Sequence, residues 1–196
     1  MWVVKLGGSL HNAPALRGWL RALAGGPGPA RIVVPGGGPF ADTVRRLQPA
    51  LRFDELAAHR MAILAMQQLG LALQSLEPTL ALAETDAELR ATRAAVWLPW
   101  RLAGRAADIP ASWDVTSDSL ACWLAIRLGA ETLVLVKSAA VPKGEHAAPG
   151  LVTTGLLDAA FPAMARRFRG RIFLQHRDAD PAAALDHQPN ACRVTV

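Results

Sequence analysis

Tyrosine is absent from this 196-residue chain, and cysteine is scarce, with only Cys122 and Cys192. Two distant thiols with no repeated spacing argue against a disulfide framework or a cysteine metal site; set among apolar neighbours, both read as buried thiols. Aromatics make up 6% and do not interleave with basic residues, as a single-strand stacking platform requires. Continuous basic blocks are missing too. The net charge of +5 comes from scattered arginines, densest at Arg45-Arg46 and at Arg166-Arg167 with Arg169 and Arg171. An anionic small molecule suits that pattern as well as nucleic acid does, and without interleaved aromatics no nucleic-acid partner is expected. Although 52% of residues are hydrophobic, Arg, Asp, Gly and Pro break every apolar run well short of the ~18 residues a membrane helix needs. The first residues read as strand and motif, not as a charged leader before an apolar core. A cytoplasmic protein with no membrane partner is therefore expected.

Glycine and proline, by contrast, are plentiful at 16 and 14, and they punctuate the chain informatively. Trp2, Val3, Val4 and Leu6 are apolar enough for a buried strand, and Lys5-Leu6-Gly7-Gly8-Ser9 ends it in a turn. Paired glycines leave backbone N–H groups unshielded, so a polyphosphate can lie against them, while Lys5 supplies a formal charge. Taken alone, the pair could equally be a plain strand-to-helix turn. Pro14 to Ala24 then puts Leu16, Trp19, Leu20 and Leu23 on one helical face, and Gly25-Gly26-Pro27-Gly28-Pro29 stops it. Arg31-Ile32-Val33-Val34 runs into Pro35-Gly36-Gly37-Gly38-Pro39, and helical spacing resumes over Phe40 to Leu47. Strand, glycine turn, helix, written twice in fifty residues, predicts a parallel α/β sheet with both turns at its carboxyl edge.

A long helix is predicted over Asp54 to Leu76. His59 lies within it and reads as a structural residue or a ligand contact. Leu80 to Arg93 has no decisive period; Ala95 to Leu98 reads as a strand and Gly104 to Pro110 as a loop. Thr116-Ser117-Asp118-Ser119 precedes a helix over Leu120 to Leu128, so it reads as a cap. Asp118 could at the same time point back at Lys5. Thr132 to Val136 is a buried strand that exits at Lys137-Ser138. Beyond it the pattern predicts loop over Ala139 to Thr154, helix over Leu156 to Phe168, strand over Arg171 to Leu174, helix over Asp180 to Leu185, and a closing strand over Arg193 to Val196.

In this order, the motifs Lys5-Leu6-Gly7-Gly8-Ser9, Pro35-Gly36-Gly37-Gly38 and Thr116-Ser117-Asp118-Ser119 resemble the amino acid kinase superfamily. That group holds acetylglutamate, aspartate, uridylate and isopentenyl phosphate kinases. The pieces Ala58-His59-Arg60-Met61-Ala62-Ile63, Trp113 to Ser119 and Asp158-Ala159-Ala160-Phe161-Pro162 are similar to the branch that phosphorylates (5-(aminomethyl)furan-3-yl)methyl phosphate in methanofuran biosynthesis. The resemblance implies a single three-layer α/β/α sandwich with an open, mainly parallel sheet. It implies residues 1–115 as mainly the acceptor half and 116–196 as mainly the nucleotide half. It also implies ATP with Mg²⁺, a small phosphorylated substrate, and a homo-oligomer. By position, Lys5 would neutralise the transferring phosphoryl group and Asp118 would orient the lysine. Gly7, Gly8 and Ser9 would complete the cradle, and Lys137 and Ser138 would lie against the nucleotide. Gly36, Gly37, Gly38 and His59 would serve the acceptor, and no residue set is assigned to metal. The chain departs from its relatives at Ser138-Ala139-Ala140-Val141-Pro142, where they carry acidic residues, and at Gln175-His176, where they carry Asn-Gly. A non-catalytic protein that binds a phosphorylated metabolite is therefore the competing expectation.

Overall fold

The computed structural model describes residues 1–26, 28–186 and 191–196; Pro27, within the expected helix stop, lies outside them. The chain forms β1 (Trp2–Leu6), a 3-10 turn (Gly8–Asn12), α1 (Leu16–Ala24), β2 (Arg31–Pro35), α2 (Gly38–Leu51) and α3 (Glu55–Leu76). Then come β3 (Ala81–Ala83), α4 (Asp86–Ala91), β4 (Ala94–Trp97), α5 (Trp100–Ala103) and α6 (Ser117–Leu128). The last third holds β5 (Thr132–Lys137), β6 (Gly144–Ala147), α7 (Ala148–Thr153), α8 (Phe161–Ala165), β7 (Arg171–His176), α9 (Pro181–Asp186) and β8 (Cys192–Thr195).

Among the described residues the strands make one eight-stranded sheet in the order β3-β4-β2-β1-β5-β7-β8-β6. Every pairing is parallel except β7 with β8. β1 is buried at all five positions, and its alternating side chains feed two apolar layers. Trp2, Val4 and Leu6 join Trp19, Leu20 and Leu23 of α1 and Leu185 of α9 on one face. Val3 joins Leu120 and Leu124 of α6 and Phe161 of α8 on the other. α3 contributes to both layers, with Ile63 and Met66 in one and Leu69 and Leu73 in the other. The result is the expected α/β/α sandwich. No helix among the described residues is long and apolar enough to cross a membrane.

Caps explain where the helices begin. Asp54 accepts from the Ala57 amide at the start of α3, and Thr116 accepts from the Asp118 amide at the start of α6. Thr85 and Glu88 form a reciprocal capping box that starts α4 inside the segment the periodicity leaves unassigned.

The second half corrects two expectations. Residues 139–154 are not all loop, because β6 pairs with β8 at the sheet edge and α7 follows directly. An edge strand exposed on both faces carries no apolar alternation, so its sequence looks like loop. The helix expected over Leu156 to Phe168 shrinks to α8: Leu156 and Leu157 are buried as loop anchors, and Pro162 sits in the helix's first turn. After the first glycine turn the chain takes a 3-10 turn before α1 begins.

Candidate functional site

Strand alternation decides which side chains meet at the carboxyl edge. Val3 and Lys5 share one face of β1; Leu133, Leu135 and Lys137 share the same face of β5, and Lys5 pairs in register with Leu135. Lys137 therefore projects one same-face step beyond Lys5 on the neighbouring strand. α6 begins over this spot, and its first turn places Asp118 between the two lysines. Lys5 Nζ lies 2.8 Å from Asp118 Oδ1, and Lys137 Nζ donates a hydrogen bond to Asp118 Oδ2. Asp118 is 4% exposed and Lys5 6%. The cluster is thus one carboxylate against two ammonium groups, with an excess of positive charge out of water.

The ionisation of the cluster follows from that arrangement. Burial, the largest influence on Asp118, pushes its pKa up, but Lys5 and Lys137 together outweigh it and hold the carboxyl below its ordinary value. Lys137 is pushed down to about 8, first by burial and then by Lys5, against the opposing pull of Asp118 and Asp158. The chain passes from β1 to β2 on one side of the sheet, whereas β5 flanks β1 on the other. The cluster therefore sits at the topological switch point, where α/β sheets open a crevice for ligands.

The two glycine turns lie backbone against backbone beside it. A Cβ on Gly36 would stand 2.2 Å from the Gly8 nitrogen, and a Cβ on Gly8 would stand 2.3 Å from the Gly38 nitrogen. Gly38 adopts φ +53, a left-handed conformation at the start of α2 that favours glycine. Because only backbone can give way, Gly36→Ala should lower stability by about 1–3 kcal/mol. A urea melt with the wild-type midpoint would show that the turns can separate at no cost.

Of the expected cradle, the Gly7 amide is already taken, since it donates to the Val136 carbonyl at 3.2 Å. The Gly8 and Ser9 amides open the 3-10 turn, where helical N–H groups have no intrahelical acceptor. Ser9 Oγ and Ser138 Oγ are 2.7 Å apart, bridging the exits of β1 and β5. A cavity of about 470 Å³ runs from these turns between α2, α3 and the start of α6. Gly8, Gly37 and Gly38 line its polar end, and Ile63, Met66 and Leu120 its apolar floor. His59 lines it from α3, buried, with its pKa held below the ordinary value by burial and then by Arg60. The imidazole is therefore neutral at pH 7.

Arg45 and Trp113 also line this cavity, and neither belongs to the glycine or cap motifs. Arg45 stacks its guanidinium 4.3 Å from the centroid of the Trp113 ring, and the Trp113 indole N–H donates to Gln48 Oε1 at 2.6 Å. Helical spacing could have found Arg45, because it lies seven residues beyond Gly38 on the face that Ala41 and Asp42 share.

At the exits of β5 and β7 a second cavity, of about 520 Å³, holds Val141, Lys143, His176, Asp178 and Asp180. Asp178 lies 3.7 Å from Arg177 Nε, and Asp180 accepts from the Ala182 amide at 2.9 Å at the start of α9. Among the described residues no three His, Cys, Asp or Glu side chains converge as a metal site. Both cysteines are buried and unpaired, and burial, with Asp158 second, pushes the Cys122 thiol up to about 12.

Comparison with known proteins places this geometry in a family. [5-(aminomethyl)furan-3-yl]methyl phosphate kinase of Methanocaldococcus jannaschii is 29% identical over 139 residues, which cover 69% of this chain and 64% of that protein. The match spans less than two thirds of that relative's length. Uridylate kinase from Archaeoglobus fulgidus superposes with a TM-score of 0.73 at 17% identity, covering 99% of both chains. UMP kinase from Ureaplasma parvum gives 0.70 at 13% identity, covering 100% of this chain and 98% of that one. At such identities the two structures speak for the fold alone. The sequence profile of the amino acid kinase family matches residues 1–140, and the chain belongs to that family.

Proposed function

We propose that this protein transfers the γ-phosphoryl group of ATP to the phosphate of a small phosphomonoester, giving a diphosphate, with (5-(aminomethyl)furan-3-yl)methyl phosphate as the preferred acceptor. The observation that carries the reading is the buried Lys5–Asp118–Lys137 cluster at the switch point, beside a cavity with a glycine-lined polar end and an apolar floor. A volume of about 470 Å³ suits a small metabolite. The matched relative's name supports the acceptor, and the uridylate kinase neighbours make UMP the first competitor to test.

In this reading residues 1–115 mainly bind the acceptor and residues 116–196 mainly the nucleotide. Gly37, Gly38, Arg45 and neutral His59 hold the acceptor phosphate, with Gly8 and Ser9 at the point of transfer. An acceptor oxygen attacks the γ-phosphorus while its bond to the bridging oxygen of ADP breaks. A phosphate oxygen is already anionic, so no general base is required; positioning and charge neutralisation carry the catalysis. Lys5 and Lys137 place their positive charge against the transferring group, and Asp118 fixes both ammonium groups. Mg²⁺, supplying further charge neutralisation, would arrive with ATP and be held by phosphate oxygens and water. The exposed Leu56, Met61, Leu64 and Leu71 of α3 offer an apolar face that a homo-oligomer would cover.

A coupled ADP-release assay with ATP, Mg²⁺ and a panel of acceptors tests the reading, the panel holding the aminomethylfuran phosphate, UMP, isopentenyl phosphate and glutamate. Turnover with a phosphate acceptor supports it. ATP left unbound in calorimetry, with a phosphomonoester still bound, would favour the non-catalytic alternative that the missing carboxylates after Ser138 suggest. The ionisation of Lys137 adds a sign. Its ammonium is protonated below about 8 and neutral above, so kcat/KM for ATP should fall with rising pH through a single ionisation near there. A profile flat from pH 7 to 9.5 would remove Lys137 from the reaction.

A further inference from the structure

The cluster depends on where α6 begins, and a residue outside the cluster fixes that point. Asp158 lies in the loop between α7 and α8, buried, with both carboxylate oxygens turned to the first turn of α6. Its Oδ2 accepts from the Thr116 amide at 2.9 Å, the Thr116 hydroxyl at 2.8 Å and the Ser119 amide at 3.0 Å. Its Oδ1 accepts from the Ser119 hydroxyl. All four donors belong to residues that bracket Asp118. Thr116 Oγ1 in turn accepts from the Asp118 amide at 3.3 Å, so a relay runs from the Asp118 backbone through Thr116 to Asp158.

A threonine cap alone would satisfy one amide at the start of α6. Here a buried carboxylate satisfies another, the Ser119 amide, and also fixes the threonine and serine side chains, adding negative charge at a helix N-terminus. The carboxylate is itself anchored. The Phe161 amide donates to the Asp158 carbonyl at 3.1 Å, the Ala160 amide donates to the Asp114 carbonyl at 3.0 Å, and the Phe161 ring is fully buried against the α6 layer. Burying a carboxylate is costly unless it is fully hydrogen-bonded, and an uncharged cap would have sufficed to start a helix.

We propose that Asp158 is a positioning residue for phosphoryl transfer: it locks the first turn of α6 so that Asp118 stands between Lys5 and Lys137. This role rests on the phosphoryl-transfer reading above. Asp158 never touches the substrate in this arrangement and acts through Thr116 and Ser119. A displacement of about 1 Å at a reacting centre costs up to about 100-fold in rate, so the effect falls on kcat while substrate binding is kept.

The test is Asp158→Asn, which keeps the side chain's shape and one acceptor oxygen but removes the charge. We expect kcat to fall on the order of 10- to 100-fold, with KM for ATP and acceptor within about 2-fold of wild type. Two readouts need no turnover. Lys137 is faced by Lys5, Asp118 and Asp158; losing the Asp158 charge moves its titration, followed by lysine side-chain NMR, to lower pH. Amide exchange at Asp118 and Ser119 speeds up while that of β5 does not. An unchanged Lys137 midpoint with unchanged exchange at those amides overturns the proposal, as does a wild-type kcat. Absence of turnover in the wild-type chain would instead defeat the phosphoryl-transfer reading, and the titration and exchange would still decide what Asp158 holds. Should Asp158→Asn fail to fold, Ser119→Ala removes one of the four donors, and the same amide exchange is expected to rise by a smaller factor; no rise overturns the proposal.

Discussion

Asp118→Ala should abolish measurable turnover and also destabilise the fold by about 3–5 kcal/mol, the range seen when one member of a buried ion pair is removed. Its carboxylate is the shared partner of two ammonium groups, 2.8 Å from Lys5 and hydrogen-bonded to Lys137. Without it two like charges face each other out of water, and Lys137, already lowered to about 8, loses its main favourable neighbour. The sign of the pH dependence follows. Without Asp118 the folded Lys137 pKa drops further, so the variant's deficit is largest at pH low enough for Lys137 to be charged in both folded proteins. It shrinks as pH rises towards about 8, the folded value in the wild-type chain, because the unfolded state is common to both proteins and cancels. In the wild-type chain the lowered Asp118 pKa gives stability that is present above the ordinary carboxylate range and lost as pH falls through the folded value. Urea melts of both proteins at pH 7 and pH 9.5, followed by tryptophan fluorescence, check this. A deficit below about 1 kcal/mol at pH 7 would mean that water reaches the cluster and the burial argument fails.

The parts of the site set by local rules were legible in the sequence. A buried strand that ends in Lys-x-Gly-Gly announces its turn, and Thr116 ahead of an apolar helix announces its cap. With both on parallel elements, Asp118 and Lys5 fall at the same edge of the sheet. The role of Lys137 was only half legible. The strand pattern places it at an exit against the nucleotide, yet Leu133, Leu135 and Lys137 alternate on one face. Counting by twos from the buried leucines would have turned Lys137 towards α6 and Asp118.

Contacts made across long sequence separations were not legible. Asp158 reaches Thr116 and Ser119 from about forty residues away, and the isolated acid between Leu157 and Ala159 carries no period that would reveal its target. The sequence pattern of both turns predicts surfaces for phosphate; in the fold, Gly8 and Gly36 are also required because the two backbones touch. Sequence cannot separate these demands, since a close backbone and a close ligand both forbid a Cβ. The edge strand β6 failed for another reason: Gly144, Glu145 and Ala147 are exposed, so its pairing with β8 rests on main-chain bonds that leave no hydrophobic pattern.

Lys5→Met tests the same cluster with the opposite expectation for stability. Methionine replaces the lysine stem with an apolar chain of similar length, in a strand buried along its whole length. The change leaves Asp118 paired with Lys137 alone, so the buried charge falls from one excess positive to a balanced pair. The fold should therefore be at least as stable as wild type, because replacing a buried charge by a packed apolar group is often neutral or favourable. Lys5 is also the second cause that lowers Lys137; without it the Lys137 midpoint should move above about 8, and the alkaline limb of residual activity should follow. Turnover should nonetheless drop about 10³-fold, the scale of losing one preorganised group that meets developing charge, while KM for ATP changes only a few-fold. Stability and activity thus move in opposite directions, which separates a group placed for chemistry from one placed for folding. If turnover persists at the wild-type rate, the transferring phosphoryl group does not meet Lys5, and Lys137 with the amides of Gly8 and Ser9 would have to carry its charge alone.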